Sequence, residues 1–228
     1  MHGVFAADQD RTSLWQRLVT RGFRLLYHQL AWTYDLVAWT VSLGQWQAWV
    51  QTALPHMVGQ QVLELGHGPG HLLIALAEQG YQTIGLDSSP QMTHIAQRRL
   101  RRAGFATNLI RCQAQTLPFP PHTFDSVVST FPTSFIVEAE TLREVVRILR
   151  PGGRLVVVLG ARLSGRDPLS RFVEWLYSIT GQRETLTSAS WKASFAVAGL
   201  AWQSVQIKMK RSQVFLLIAK RATLDGTG

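Results

Sequence analysis

Cysteine is almost missing from this 228-residue chain, with Cys112 standing alone. One thiol cannot make an internal disulfide or a cysteine-based zinc site. Charge is sparse as well, at 16% of residues, and acids are the scarcer kind, 14 against 23 basic residues. No apolar run reaches the roughly 20 residues that a membrane span needs. The opening Met-His-Gly-Val-Phe-Ala-Ala-Asp lacks the basic start and long apolar core of a signal peptide. No internal repeat or low-complexity linker interrupts the sequence. These absences point to a cytoplasmic protein, either free or peripheral at a membrane, with no metal site.

What is present suits one compact domain, since 46% of the residues are hydrophobic. The net charge is +9, and 19 of the 23 basic residues are arginine. Arg98, Arg99, Arg101 and Arg102 cluster with no acid nearby. They read either as a solvated helix face or as an attraction for anionic lipid or nucleic acid. Residues 11–30 carry apolar side chains at helical spacing (Leu14, Trp15, Leu18, Phe23, Leu26) with arginines between them. That is a basic amphipathic helix, which can lie in a membrane interface or close over the domain as a lid. Trp32, Tyr34, Trp39, Trp46 and Trp49 follow, as core or as a roof over an apolar pocket. The expected division is a helical lid and substrate region over 1–55 and a ligand-binding domain over 56–228.

From residue 61 strands and helices alternate. Strands are expected at 61–65, 81–86, 107–111, 124–130, 154–160, 202–210 and 213–220. Helices are expected at 70–79, 89–103, 137–149, 168–179 and 188–198. Alternation of this kind gives a mainly parallel sheet with helices on both faces. The short Arg211-Ser212 link is too tight for a parallel crossover, so the last two strands must pair antiparallel. The expected fold is therefore α/β and Rossmann-like, with seven mainly parallel strands and one antiparallel terminal strand. Residues 161–189, punctuated by Gly165, Pro168 and Gly181, form an excursion placed as a flap near the site.

Residues 61–70 read Gln-Val-Leu-Glu-Leu-Gly-His-Gly-Pro-Gly, and Asp87 ends the next apolar run. Strand, glycine turn, helix, strand and terminal acid describe a nucleoside-binding βαβ unit. A dinucleotide fingerprint would put its third glycine at position 71, where histidine stands, and Gly70 comes one residue early. Glu64, two residues before Gly66, suits a ligand with a positive end better than a pyrophosphate. Asp87 can accept from both ribose hydroxyls, because Ser88-Ser89-Pro90 supplies the cap for the following helix.

Three further motifs follow in order: Gln113-Ala114-Gln115-Thr116-Leu117-Pro118-Phe119-Pro120, Phe124-Asp125, and Leu149-Arg150-Pro151-Gly152-Gly153-Arg154. Together with the acid-x-Gly-x-Gly-x-Gly loop, they resemble the class I S-adenosylmethionine methyltransferases. With Tyr34-Asp35 ahead of the glycine loop, they are similar to the ubiquinone/menaquinone and phospholipid group of that family. The resemblance spans residues 61–160. It implies S-adenosylmethionine as methyl donor, S-adenosylhomocysteine as product, and a hydrophobic small molecule or lipid of quinone or phospholipid type as acceptor. It implies cofactor contacts from Glu64, Gly66, His67, Gly68, Gly70, Asp87, Ser88, Gln113, Ala114 and Thr130, with Tyr34 as a lid. Gln113 departs from the family's acid, so its contact with adenine would be neutral. Tyr27, Trp32, Phe131 and Pro132 are the candidates for acceptor contact, and Asp125, at the far end of its strand, is expected to be structural. No histidine pairs with an acid at a recognisable spacing, so no general base is named. Methylation of RNA or protein stands as the alternative raised by the charge. A non-catalytic cofactor-binding partner subunit is the alternative raised by Gln113.

Overall fold

The computed structural model describes residues 39–40, 42–164, 194–195 and 198–221. The helices expected over 11–30 and 168–179, most of that over 188–198, the excursion from 165 onward, and Tyr27, Trp32 and Tyr34 lie outside the described residues.

The described chain begins with a short helix, α1 (Trp46–Gln51), followed by a single 3-10 turn, Leu54–His56. Then come β1 (Gln61–Leu65), α2 (His71–Glu78), β2 (Gln82–Asp87), α3 (Pro90–Arg102) and β3 (Leu109–Arg111). The rest is β4 (Phe124–Thr130), α4 (Ala139–Ile148), β5 (Leu149–Leu163), β6 (Leu200–Lys208) and β7 (Ser212–Arg221). The strands form one sheet in the order β3-β2-β1-β4-β5-β7-β6. The first five pair parallel, and β7 runs antiparallel between β5 and β6. The expected fold class is therefore the observed one.

The period-two alternation of the strands sorts the core onto two faces. Val62, Val128, Val156, Val158, Leu216 and Ile218 face Trp49 and Val50 of α1 and Leu72 and Leu76 of α2. Leu63, Leu65, Val127, Leu155, Val157 and Leu217 face Leu142, Val145 and Ile148 of α4. Each such side chain, taken fully out of water, contributes about 1.5–3 kcal/mol before entropy is counted. Trp49 and Val50 thus belong to the same core as the sheet, and α1 is tied to it by polar contacts too. The Trp49 indole Nε1 donates to Ser212 Oγ at 2.9 Å, and Ser212 Oγ donates to Gln45 Oε1 at 2.9 Å.

Most strand ends lie within two residues of expectation, and the two larger differences, both in β5, have local reasons. β5 begins at Leu149, within the Leu-Arg-Pro-Gly-Gly stretch that reads as a turn, because Leu149 pairs with Phe124 before a bulge restores register at Ser126–Arg154. Its far end runs to Leu163, opposite Ser212, so residues 161–163 of the expected excursion are strand.

Asp125 closes the amino-terminal end of the sheet. Its Oδ2 accepts from the backbone N–H groups of Gln60 and Gln61, both at 2.9 Å, and its Oδ1 accepts from Arg150 Nη1 at 2.6 Å. Gly59 makes room for it, since a Cβ there would lie 2.2 Å from Asp125 Cγ. Burial pushes this carboxyl upward. The hydrogen bonds from Gln61, Arg150 and Gln60 outweigh that and hold it below its usual range. A carboxylate depressed on folding stabilises the fold above its unfolded pKa and loses that contribution as pH falls through its folded value. Asp125→Asn is expected to lower unfolding free energy at neutral pH by about 1.5–3 kcal/mol. In urea titrations at decreasing pH, the gap to wild type should close in the acid range.

Candidate functional site

The candidate site lies at the carboxyl ends of β1, β2 and β4, where ligands of open α/β sheets bind. Parallel pairing of β1 with β2 sets Glu64 beside Gly85 and Leu65 beside Leu86. Past the strand ends, the Leu86 carbonyl accepts from both Gly66 N–H (2.7 Å) and His67 N–H (3.2 Å). The Gly68 N–H donates to Asp87 Oδ2 at 2.9 Å, and the Gly70 N–H to the His67 carbonyl at 3.0 Å. Pro69 has no N–H to give. Every backbone donor of residues 66–70 is therefore used within the protein. A pyrophosphate cradle needs such donors turned outward.

Gly66, Gly68 and Gly70 all have positive φ, at 69°, 51° and 81°. A Cβ on Gly70 would lie 2.9 Å from Ala96 Cβ, so this glycine lets α3 cross the loop. A Cβ on Gly68 would meet no described residue within 4 Å. Arg99 of α3 donates to the Pro69 carbonyl and holds the loop from outside.

Asp87 is half-buried, with Oδ2 on Gly68 and Oδ1 accepting from the Ser89 N–H at 2.8 Å. Ser89 caps α3, its Oγ accepting from the Met92 N–H, as the serine pair predicts. The carboxylate is thus held at both oxygens rather than left free, and each oxygen keeps a second acceptor position. Ser88 is exposed next to it. Glu64 is 1% exposed, and its Oε2 has no hydrogen-bond partner among the described residues. Burial pushes its carboxyl well above the usual range, and the Asp87 charge adds to the push.

His67 is buried too, at 3% exposure. Its Nδ1 lies 2.7 Å from the Gly68 carbonyl, and its Nε2 has no hydrogen-bond partner among the described residues. Burial lowers its basicity, against the opposing pull of Asp87.

The neighbouring loop closes the β3 side. Ala114 is buried and Gln113 is exposed at the strand exit. Glu144 of α4 accepts from the Leu117 N–H at 2.7 Å, while Arg147 donates to the Phe119 carbonyl at 2.6 Å and the Leu117 carbonyl at 2.9 Å. The Glu144–Arg147 pair, one helical turn apart, thereby clamps the Leu-Pro-Phe-Pro loop. Sequence reasoning missed this clamp, although the acid and base at i and i+3 were visible.

At the exit of β4, Thr130 is half-buried and Phe131 adopts φ 49°, a left-handed conformation that a bulky residue rarely takes. Its N–H donates to the Val158 carbonyl at 2.8 Å, and its ring stacks on Trp46 with centroids 4.4 Å apart. Pro132 follows, half-buried. The Trp46–Phe131 stack is a second feature that spacing did not reveal.

Known proteins bear on this geometry. Residues 62–153 match the methyltransferase domain family. Over 139 residues the chain is 32% identical to demethylmenaquinone methyltransferase of Thermus thermophilus, covering 58% of this chain and 63% of that protein. Over 164 residues it is 31% identical to the ubiquinone/menaquinone biosynthesis C-methyltransferase of Blochmanniella floridana, covering 68% and 62%. A solved structure described as an S-adenosyl-L-methionine-dependent methyltransferase of Methanococcus maripaludis superposes with a TM-score of 0.65 at 19% identity, covering 89% of this chain and 96% of that one. Residues 62–153 thus carry the match to the methyltransferase domain, on a sheet that shares the fold of the Methanococcus maripaludis structure. It spans a little over three fifths of the length of these curated relatives.

Among the described acids, Glu64 is the one that its surroundings push well above its usual range. An acid whose pKa rises on folding costs stability as pH climbs above its unfolded value, near 4.3. Glu64→Gln is therefore expected to raise the Tm of the ligand-free protein at neutral pH, at about 2–4 °C per kcal/mol for a chain of this size. Calorimetric scans should show the gain disappearing as the pH falls towards about 4, where wild type is protonated in both states.

Proposed function

We propose that the protein is an S-adenosylmethionine-dependent methyltransferase acting on a hydrophobic, quinone-type acceptor. The observation that carries the cofactor is the glycine loop with no backbone donor to spare, set between two carboxylates. Such a loop suits a cationic nucleoside and not a pyrophosphate. Asp87, fixed at both oxygens, accepts from the two ribose hydroxyls with its remaining lone pairs. Gly68 leaves the space the nucleoside fills, and Gly66, Gly70, Ser88 and Ala114 line the same loop ends. Glu64, with a buried unpaired oxygen, answers the positive end of the ligand. No side chain caps α2, so the positive end of its dipole is open to the ligand's carboxylate. Gln113 accepts from the adenine amino group through its amide oxygen, and Thr130 flanks the sulfonium.

S-adenosylmethionine supplies an activated methyl group. The chain's own residues orient donor and acceptor in line and keep water out. The quinone-type acceptor rests on the 31–32% identical relatives. The Trp46–Phe131 stack beside β4 supports it, because a flat ring fits an aromatic wall. Tyr27, Trp32, Tyr34 and Pro132 complete the acceptor side in this reading. Among the described residues no helix is long and apolar enough to cross a membrane. Arg98, Arg101, Arg102 and Arg111 are exposed along the β3 edge, and that charge fits an anionic membrane surface on which such an acceptor is held.

The direct test is calorimetric titration with S-adenosylhomocysteine, then labelled-methyl transfer to demethylated quinones. No binding by the folded wild type would sink the proposal. Gly68→Val is expected to lose binding by more than about tenfold, since its side chain would occupy the ligand's space and a β-branched residue is strained at φ 51°, with Tm measured to check folding. Phe131→Ala is expected to raise the acceptor KM several-fold with the donor KM unchanged. A reversed pattern would move the acceptor wall elsewhere.

A further inference from the structure

His67 was expected to touch the cofactor, and its burial beneath the loop suggests a different task. The ring lies against β2, where a Cβ on Gly85 would come within 3.0 Å of His67 Cδ2. Gly85 is thus the glycine that admits an imidazole at this place. A carbonyl oxygen only accepts, so at 2.7 Å from the Gly68 carbonyl the Nδ1 must carry the proton. The same Gly68 donates its N–H to Asp87 Oδ2 at 2.9 Å. The two peptide planes that meet at the Gly68 Cα are therefore held separately, one by His67 and the other by Asp87. Glycine has no Cβ to restrict these planes, and φ here is 51°. Without the imidazole, the plane carrying the Gly68 carbonyl is free to turn. Because the two planes share the Gly68 Cα, such a turn shifts that Cα and, with it, the N–H that meets Asp87.

We infer that His67 is a positioning residue for the nucleoside. Its Nδ1–H locks Gly68 in the left-handed conformation and, through the Gly68 N–H, aims the Asp87 carboxylate at the ligand's diol. This deepens the cofactor reading and rests on it. The imidazole stays neutral in this role, because its Nε2 is buried with no partner among the described residues to receive a proton's charge. The Pro69 and His67 carbonyls are held as well, by Arg99 and the Gly70 N–H. Of the three carbonyls at 67–69, only that of Gly68 depends on a side chain from within the loop.

The experiment is calorimetric binding of S-adenosylhomocysteine to wild type, His67→Ala and His67→Asn, with Tm measured for each. His67→Ala is expected to bind about tenfold more weakly, as loss of one aimed hydrogen bond implies. His67→Asn, whose amide N–H₂ can reach the same carbonyl, is expected to recover to within about threefold. Recovery by asparagine separates aiming from bulk packing, since asparagine replaces the donor and not the ring volume. Unchanged affinity in His67→Ala, or no recovery in a folded His67→Asn, overturns the inference and leaves the cofactor reading standing. A folded wild type that binds nothing removes both. Should both variants fail to fold, nitrogen-15 shifts of the wild-type imidazole decide. Protonation at Nδ1 is expected, and a proton at Nε2 instead refutes the lock.

Discussion

The hydrogen bond from the Gly68 N–H to the Asp87 carboxylate joins the turn after β1 to the end of β2, and the site is arranged around it. It uses the N–H of Gly68, where a Cβ would meet no described residue within 4 Å. The Leu86 carbonyl, just before Asp87, takes the two donors ahead of it, from Gly66 and His67. The loop is therefore closed upon the strand beside it. What it offers a ligand is space, two carboxylates and a helix terminus. That combination sets two acids beside the glycine loop of a protein of net charge +9, and the proposed cationic ligand rests on it.

Asp87 and Asp125 show how the ends of the sheet separate function from structure. Asp125 receives three donors, two from backbone and one from Arg150. It sits below its usual pKa range and holds the entry to β1 against β4. Asp87 receives two donors, both backbone, and keeps capacity in the direction of the cleft. Glu64 receives none at Oε2 and is destabilised as an anion by burial and by Asp87. The two carboxylates assigned to the proposed ligand are the ones less completely satisfied by the described residues. This is the expected cost of a site, since a fully satisfied group has nothing left to bind with.

Much of this frame was legible in the sequence. β1 and β4 begin and end where they were expected, because each is a buried apolar run bounded by glycine or polar residues. The tight link at Arg211-Ser212 gave the antiparallel pair. It did not give the position of β7 between β5 and β6, which depends on long-range packing of Val214, Leu216 and Ile218 against α1 and α2. The start of β5 was obscured because Pro151, Gly152 and Gly153 have turn chemistry, yet here they make a bulge. Within the site, residue types showed the loop and the acids. They did not show which way His67 turns. A histidine beside glycines looks available to a ligand, and only the absence of a Cβ on Gly85 tells that it is buried. Phe131 gave no sign of positive φ, since that conformation is imposed by its partners and not favoured by its own side chain.

Those partners divide the site into two halves built by different parts of the chain. The donor half is made by β1, β2, α2 and α3, with Ala96 against Gly70 and Arg99 on the Pro69 carbonyl. The acceptor half is made where Phe131 leaves β4. A left-handed phenylalanine costs on the order of 1–3 kcal/mol, and the cost is offset by the bond to Val158 and the stack on Trp46. Trp46 lies on α1, which Trp49 fastens to Ser212 of β7. The wall beside the proposed methyl-acceptor position therefore depends on β7 and the segment ahead of β1, and not on the glycine loop. In the proposed reading, changes in α1 therefore act on the acceptor wall, while the glycine loop keeps its own hydrogen bonds to β2.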